Sequence, residues 1–131
     1  MHQGALKAGL IGAVLIAFTA FASCTGGRET GVQYHIATGG VARRGESVIL
    51  DKHCGSCHTI PGVNGARGLV GPPLMFFSRR TFIAGQLPNN ADNLIRWIRN
   101  PQSVEPDTAM PDLGLTEQQA RDVAAYLYQL R

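Results

Sequence analysis

The chain has 131 residues, of which 44% are hydrophobic and 16% are charged, a length that accommodates one modest domain. Twelve Lys and Arg residues against nine Asp and Glu residues give a formal net charge of +3. The basic residues are mostly scattered arginines, which argues against a nucleic-acid-binding stripe, so we expect no nucleic-acid partner. The three cysteines cannot all pair within the chain, so each sulfur needs its own account.

The amino end is far more apolar than the remainder. A short basic segment followed by the apolar run of residues 8–22, which is short for a membrane span, predicts an export signal over residues 1–23. The segment Phe21-Ala22-Ser23-Cys24 resembles the lipobox of bacterial lipoproteins, which implies lipidation of Cys24. Cleavage at Ala20-Phe21-Ala22 by ordinary signal peptidase, or retention of the run as a short anchor, are alternatives. All three place the remainder outside the cytoplasm.

A Gly-rich and Thr-rich segment follows the export signal. Residues 24–42 show no sustained hydrophobic period, which predicts a flexible tether. We therefore expect three parts: a signal peptide at 1–23, a tether at 24–42 and a folded domain at 43–131.

The segment Cys54-Gly55-Ser56-Cys57-His58 has the C-x-x-C-H pattern of c-type haem attachment. Each thiol can add to one haem vinyl group to form a thioether, which places His58 beneath the iron as a ligand. A thioredoxin-like redox pair is an alternative, but that motif opens a helix after a strand, and no strand-rich segment precedes Cys54. A zinc site would need a further Cys or His at ligand spacing, for which His35 and His53 are poorly placed.

From residue 43 to the last residue, the chain resembles class I cytochrome c. This implies an all-α fold, in which three main helices and their loops wrap around one covalently bound haem c. Residues 43–53 resemble the family's amino-terminal helix, with Gly45 and Leu50 near its Gly and aromatic positions. Residues 91–100 resemble the helix along one haem edge. Asn90 or Asp92 can cap this helix and Pro101 ends it.

The resemblance also implies a set of haem contacts. The turn Gly71-Pro72-Pro73-Leu74 is similar to the family's G-P-x-L turn, in which the carbonyl of Pro72 accepts the Nδ1 proton of the haem histidine. Residues 106–111 agree with the P-x-T-x-M loop, which makes Met110 the sixth iron ligand and Thr108 a propionate contact. Met75 is the other candidate for the distal position, but it follows the proline turn and would have to cross from the proximal side.

Further haem contacts are implied by residues that match positions of the family. Trp97 replaces a Tyr of many relatives and covers the haem edge or donates to a propionate or to Thr108. Arg80 matches the propionate-binding arginine. Residues 116–131 begin with a T-x-x-Q capping box and resemble the carboxy-terminal helix, whose Tyr126 faces the amino-terminal helix. Tyr128 is expected to be a partly exposed surface residue.

An iron atom held by His58 and Met110 has no free coordination position, which disfavours oxygen and peroxide binding and leaves outer-sphere electron transfer. The sequence therefore predicts an electron carrier without a small-molecule substrate, rather than an enzyme. The alternative is a haem-based peroxidase or gas-binding sensor in which Met110 detaches.

The loops around the predicted haem are similar to those of monohaem cytochromes found with bacterial haem-copper terminal oxidases, particularly at residues 60–66, 87–90 and 109–111. This resemblance implies a quinol-oxidising complex as the electron donor. It also implies that a terminal oxidase is the acceptor, or that the chain is a subunit of such a complex. With a lipid anchor at Cys24, the protein is expected in the periplasm or on the outer face of the cytoplasmic membrane.

Overall fold

The computed structural model of the protein describes residues 37–131. The predicted signal peptide, Cys24 and most of the predicted tether lie outside these residues. Over the described range, every helix is too short or too polar to cross a membrane.

Helices joined by long loops form the described part. Helix α1 spans Ala42–Asp51, α2 spans Ala91–Arg99 and α3 spans Glu117–Leu127. Three short 3₁₀ turns lie at Cys54–Ser56, Phe77–Arg79 and Pro101–Ser103, and the two-residue strands β1 (Phe82–Ile83) and β2 (Leu87–Pro88) pair antiparallel with Ile83 opposite Leu87. This predominantly helical architecture confirms the predicted all-α class.

The two terminal helices pack closely because small residues meet at their contact. A Cβ atom added at Gly45 of α1 would lie 2.1 Å from the backbone oxygen of Asp122 in α3, a distance that no side chain tolerates. Ala120, Ala124 and Ala125 of α3 are fully buried. The sequence therefore places small side chains where the backbones of α1 and α3 approach each other.

Ile49, and not its neighbour Leu50, is the core residue at the end of α1. Leu50 is 47% exposed, whereas Ile49 is only 1% exposed and belongs to the core. Gly45 and Ile49 are four residues apart and therefore lie on one helix face, which is the face toward α3. Leu50 is turned away from that face, so the position that resembles the family's aromatic residue is largely exposed here.

Helix α2 begins and ends as its sequence predicts. The side chain of Asn90 accepts a hydrogen bond from the backbone N–H of Asn93 at 2.9 Å, and the helix ends at Arg99, before Pro101. Leu94, Ile95 and Ile98 are buried, and Trp97 packs against the core with its ring partly covered. The buried residues form an apolar stripe, and the helix packs mainly against α3 and also against β1.

The segment just before α1 packs on α3, although its composition resembles a tether. Thr38 is fully buried, and its carbonyl accepts a hydrogen bond from Arg121 Nη1 at 2.9 Å. The carbonyl of Gly39 accepts from Gln118 Nε2 at 3.1 Å. Residues 38–41 therefore join the folded part through polar contacts that the hydrophobic pattern does not reveal.

Candidate functional site

One tight turn carries the two candidate thiols and the candidate imidazole. The backbone N–H groups of Cys57 and His58 both donate to the carbonyl of Cys54, at 3.2 and 3.0 Å. Residues three and four apart on such a turn lie on the same side. Cys54, Cys57 and His58 are thus held together by the local backbone, directly after α1 and a connecting turn at His53, whose φ is 53°.

The His58 ring is fixed by Pro72. Nδ1 of His58 lies 2.7 Å from the Pro72 carbonyl oxygen, which can only accept, so Nδ1 carries the proton. In the neutral imidazole, Nε2 then has a free lone pair, and no described residue bonds to it. The contact orients the ring and leaves Nε2 available to ligate a metal.

Gly71 makes this position of the ring possible. A Cβ atom added there would lie 2.3 Å from His58 Cε1 and 2.7 Å from Nδ1, well inside van der Waals contact. The backbone N–H of Gly71 also donates to the Cys57 carbonyl at 2.8 Å. The segment before Pro72 is therefore pinned to the turn that carries the two thiols.

The loop between the two segments closes around the cysteine turn. Gly68 N donates to Gly55 O at 3.0 Å, Leu74 N donates to Thr59 O at 2.8 Å, and Thr59 Oγ1 donates to Gly68 O at 3.0 Å. A Cβ atom at Gly68 would lie 2.4 Å from the backbone carbon of Cys57. These contacts make the loop and the turn one local unit.

The two thiols are free and partly buried. Burial raises the pKa of the Cys54 thiol, and the neighbouring Cys57 acts in the same direction. Cys54 is therefore a protonated thiol at neutral pH, with little reactive thiolate. Regarding the zinc alternative, residues 37–131 contain no group of three or more His, Cys, Asp or Glu side chains placed to hold a metal ion.

Met110 lies on the loop between α2 and α3, and its backbone is held on both sides. The Met110 carbonyl accepts a hydrogen bond from Gln102 Nε2 at 2.7 Å, and its N–H donates to Thr108 Oγ1 at 3.3 Å. Met75 instead follows the proline turn, with its side chain 40% exposed. The two methionines thus lie on separate loops, and Met75 belongs to the loop that packs on the His58 side.

The remaining predicted contact residues flank these loops. Trp97 lies on α2, and no described residue accepts a hydrogen bond from its indole nitrogen. Arg80 donates to the carbonyls of Pro73 and Met75, and its guanidinium carbon lies 5.3 Å from the centroid of the Phe77 ring. Arg80 is therefore fixed next to the segment that holds His58.

Comparison with known proteins agrees with this arrangement. The profile of the Cytochrome c family matches residues 42–131, which is most of the chain. The chain belongs to the cytochrome c family. Membership implies covalently bound haem c and haem-based electron transfer, and this confirms the class I cytochrome c resemblance seen in the sequence.

Three curated relatives share the name cytochrome c oxidase subunit 2. The chain is 36% identical over 92 residues to the protein of Alkalihalophilus pseudofirmus, covering 70% of this chain and 26% of that protein. It is 36% identical over 100 residues to that of Bacillus sp. strain PS3, with 73% and 28% covered, and 33% identical over 72 residues to that of Bacillus subtilis, with 53% and 20% covered. The chain thus spans about a quarter of the length of these relatives. No solved structure matches it.

The donor set fits a c-type haem of this cytochrome family. Cys54 and Cys57 provide two free thiols on one turn, and His58 provides a nitrogen that its Pro72 contact leaves available. These residues can be recognised in the sequence because the motif is contiguous. The contacts of Gln102 with Met110, of Asn89 with Arg80 and of Tyr128 with Asn89 cannot, because they depend on how the loops fold.

Proposed function

We propose that this protein carries single electrons outside the cytoplasm by means of one c-type haem, joined to Cys54 and Cys57 and ligated by His58 and Met110. The contact between His58 Nδ1 and the Pro72 carbonyl at 2.7 Å carries the proposal. It fixes the tautomer that a proximal ligand requires, next to both attachment thiols.

Haem bound in this way supplies a one-electron couple between ferric and ferrous iron. Pro72 orients the His58 ring and makes it a better electron-pair donor by accepting a hydrogen bond from its Nδ1–H group. Met110 supplies a thioether, which favours the ferrous state and raises the reduction potential. Trp97 covers the haem edge with an apolar ring or donates to a propionate, and Thr108 is the proposed hydroxyl contact to a propionate.

Met110 is favoured over Met75 because of where each residue is held. Gln102 and Thr108 fix the backbone of Met110 on the loop after α2. Met75 is next to the segment that positions His58, which would place both ligands on one side of the haem. If His58 and Met110 both bind the haem iron, no coordination position would be open to oxygen or peroxide, as expected for a carrier without a small-molecule substrate.

A purified holoprotein tests this ligation. We expect a low-spin spectrum and a positive midpoint potential for the native protein, and no rapid carbon monoxide binding in the reduced state. Met110→Ala should open the distal position and permit carbon monoxide binding, whereas the matched control Met75→Leu should behave like the native protein. The reverse pattern would assign the ligand to Met75, and rapid stoichiometric binding by the native protein would favour a sensor or peroxidase.

We also propose that the acceptor is a terminal oxidase, with the chain as its carrier or its subunit, and that a quinol-oxidising complex supplies the electrons. The relatives named cytochrome c oxidase subunit 2 support this assignment. Co-purification of the native protein from membranes with an oxidase, and cytochrome-dependent oxygen uptake, test it. Isolation without an oxidase and without oxygen uptake would contradict it.

Membrane attachment through a lipid on Cys24 completes the proposal. The export-type segment before Cys24 and the folded domain that begins near α1 support a tethered arrangement on the periplasmic side. Mass spectrometry of the mature protein measures the haem and any acyl chains together. Cys24→Ser should move the protein from the membrane fraction to the soluble fraction, and Ser23→Ala, as a control, should leave it membrane-bound.

A further inference from the structure

The 3₁₀ turn that precedes Arg80 is bridged by a single amide side chain. Asn89 Nδ2 donates to the carbonyls of Phe77 and Arg80, at 3.1 and 2.9 Å, so it joins the two ends of the turn Phe77–Arg79. The backbone N–H of Asn89 also donates to the Thr81 carbonyl at 2.9 Å. Asn89 thus fixes the backbone on both sides of Arg80.

The orientation of that amide is set by Tyr128. The Tyr128 hydroxyl donates to Asn89 Oδ1 at 2.9 Å, which keeps the Nδ2 group directed at the two carbonyls. The Tyr128 ring also meets the Phe77 ring edge to face, with the centroids 6.0 Å apart. Burial raises the pKa of Tyr128 to about 12, so the hydroxyl remains a donor at physiological pH.

Arg80 is held at one end and available at the other. Its Nη2 donates to the carbonyls of Pro73 and Met75, and the guanidinium lies over Phe77, the residue that Tyr128 and Asn89 both contact. Within residues 37–131, its Nε and Nη1 groups have no acceptor. A guanidinium presented in this way is suited to a carboxylate.

We propose that Tyr128 and Asn89 are positioning residues that hold Arg80 against a haem propionate and thereby raise the reduction potential. The inference rests on the proposed function because it requires a bound haem, and it adopts Arg80 as the propionate partner that the family resemblance implies. A positive charge fixed near the haem favours the ferrous state, which carries one positive charge less. Loosening Arg80 weakens that interaction, so the hydroxyl at the end of α3 acts on the haem through two intermediate side chains.

Tyr128→Phe tests the proposal, with Tyr126→Phe as the matched control. Tyr126 lies on α3, two residues before Tyr128, and its hydroxyl donates to the Pro61 carbonyl at 2.7 Å and not to Asn89. Both changes remove one partly buried hydroxyl and keep the ring. We expect a lower midpoint potential for Tyr128→Phe and an unchanged one for Tyr126→Phe, with similar losses of thermal stability.

A double-mutant cycle with Arg80→Gln separates positioning from general structural support. Arg80→Gln alone should lower the potential by more than Tyr128→Phe does. Adding Tyr128→Phe to it should cause no further shift. Asn89→Ala should likewise lower the potential on its own and cause no further shift when it is added to Arg80→Gln. It provides a second variant if Tyr128→Phe folds poorly.

Three outcomes would overturn the proposal: an unchanged potential in Arg80→Gln, an unchanged potential in folded Tyr128→Phe, or an equal Tyr128→Phe shift with and without Arg80. Each of these outcomes leaves the native one-electron couple intact, so they reject the positioning role, and in the case of Arg80→Gln also the effect of Arg80, without rejecting the proposed function. Absence of a reversible couple and of a low-spin spectrum in the native protein would instead reject the proposed function.

Discussion

Arg44 and Asp122 form a two-point ion pair between the first and last helices. Arg44 Nε donates to Asp122 Oδ2 at 2.8 Å, and Nη2 donates to Oδ1 at 2.9 Å. The Asp122 carboxylate also accepts from the backbone N–H of Val41 at 2.7 Å and from Gln118 at 3.1 Å. One buried carboxylate thus joins the start of α1, the segment before it and α3.

Asp122 should make stability depend on acid pH. Burial raises the pKa of this carboxyl, but hydrogen bonds from Arg44, Val41 and Gln118 and the charge of Arg44 lower it by more, so its pKa is depressed in the folded protein. The unfolded chain, with an Asp pKa of about 3.9, therefore binds the proton more readily. The stabilisation is complete above that value and is lost as the pH falls through the lower pKa of the folded state.

Asp122→Ala removes this contribution and leaves the Val41 N–H without its acceptor, which should cost roughly 2 kcal/mol at neutral pH. Denaturation in urea, followed between neutral and acid pH, measures both effects. The variant should lose less stability on acidification than the native protein. Asp51→Asn, at an exposed carboxylate with no ion-pair partner among residues 37–131, should retain the native pH profile. A native-like profile in Asp122→Ala would contradict the assignment.

Gly71→Ala should displace the His58 ring. The added methyl would lie 2.3 Å from His58 Cε1, so the ring or the Pro72 segment must move, at a cost of about 1–3 kcal/mol. We expect a lower haem-to-protein ratio and an altered spectrum, measured after expression with the haem-attachment machinery.

Gly85→Ala is the matched control for that change. Gly85 has a φ of 72° and open space around its Cα, so alanine there costs about 1–2 kcal/mol of backbone strain without approaching His58. It should lower stability while leaving the haem content and the spectrum unchanged. An equal loss of haem in both variants would mean that general destabilisation, and not the position of His58, is responsible.

The sequence predicts those parts of the fold that depend on neighbouring residues. The apolar stripe of α2, its Asn90 cap and its end before Pro101 are local features, and they agree with the structure. The choice between Ile49 and Leu50 as the core residue is not local. It depends on which face of α1 meets α3, and the close approach at Gly45 determines that face.

The candidate site also combines features that the sequence reveals with contacts that depend on the fold. The C-x-x-C-H segment is contiguous, so its thiols and imidazole can be recognised from the sequence alone. The contact between Asn89 and Tyr128 joins residues 39 positions apart, and no periodic pattern relates them. Tyr128 is partly exposed as expected, but its hydrogen bond depends on the loop after Phe77 folding back onto the end of α3.

The capping box of α3 should contribute measurably to stability. Thr116 Oγ1 accepts from Gln119 N at 3.2 Å, and Gln119 Oε1 accepts from Thr116 N at 2.9 Å. Thr116→Ala removes the first of these bonds and should lower the free energy of unfolding by about 1 kcal/mol. Thr116→Ser keeps the hydroxyl and should remain close to native. Equal losses in the two variants, measured by chemical denaturation, would show that the hydroxyl is not the cause.

When haem attachment is prevented, the loop between α1 and α2 should loosen earlier than the terminal helices α1 and α3 do. Among the described residues, Leu69 is 89% exposed and Val70 is 78% exposed, and Phe76 and Phe82 are also exposed. These four side chains gain little from packing within the protein, so their order depends most on a bound partner. Helices α1 and α3, in contrast, pack on each other through Gly45 and buried alanines.

Hydrogen exchange on the double variant Cys54→Ala, Cys57→Ala tests which part of the protein loosens first. Because a group that binds only the folded state stabilises that state, we expect overall stability to fall and residues 69–82 to lose protection first, while α1 and α3 retain more of theirs. The native holoprotein, measured under identical conditions, is the reference. Uniform loss of protection across the helices and the loops would mean that the haem supports the contact between the terminal helices as much as the loops that surround it.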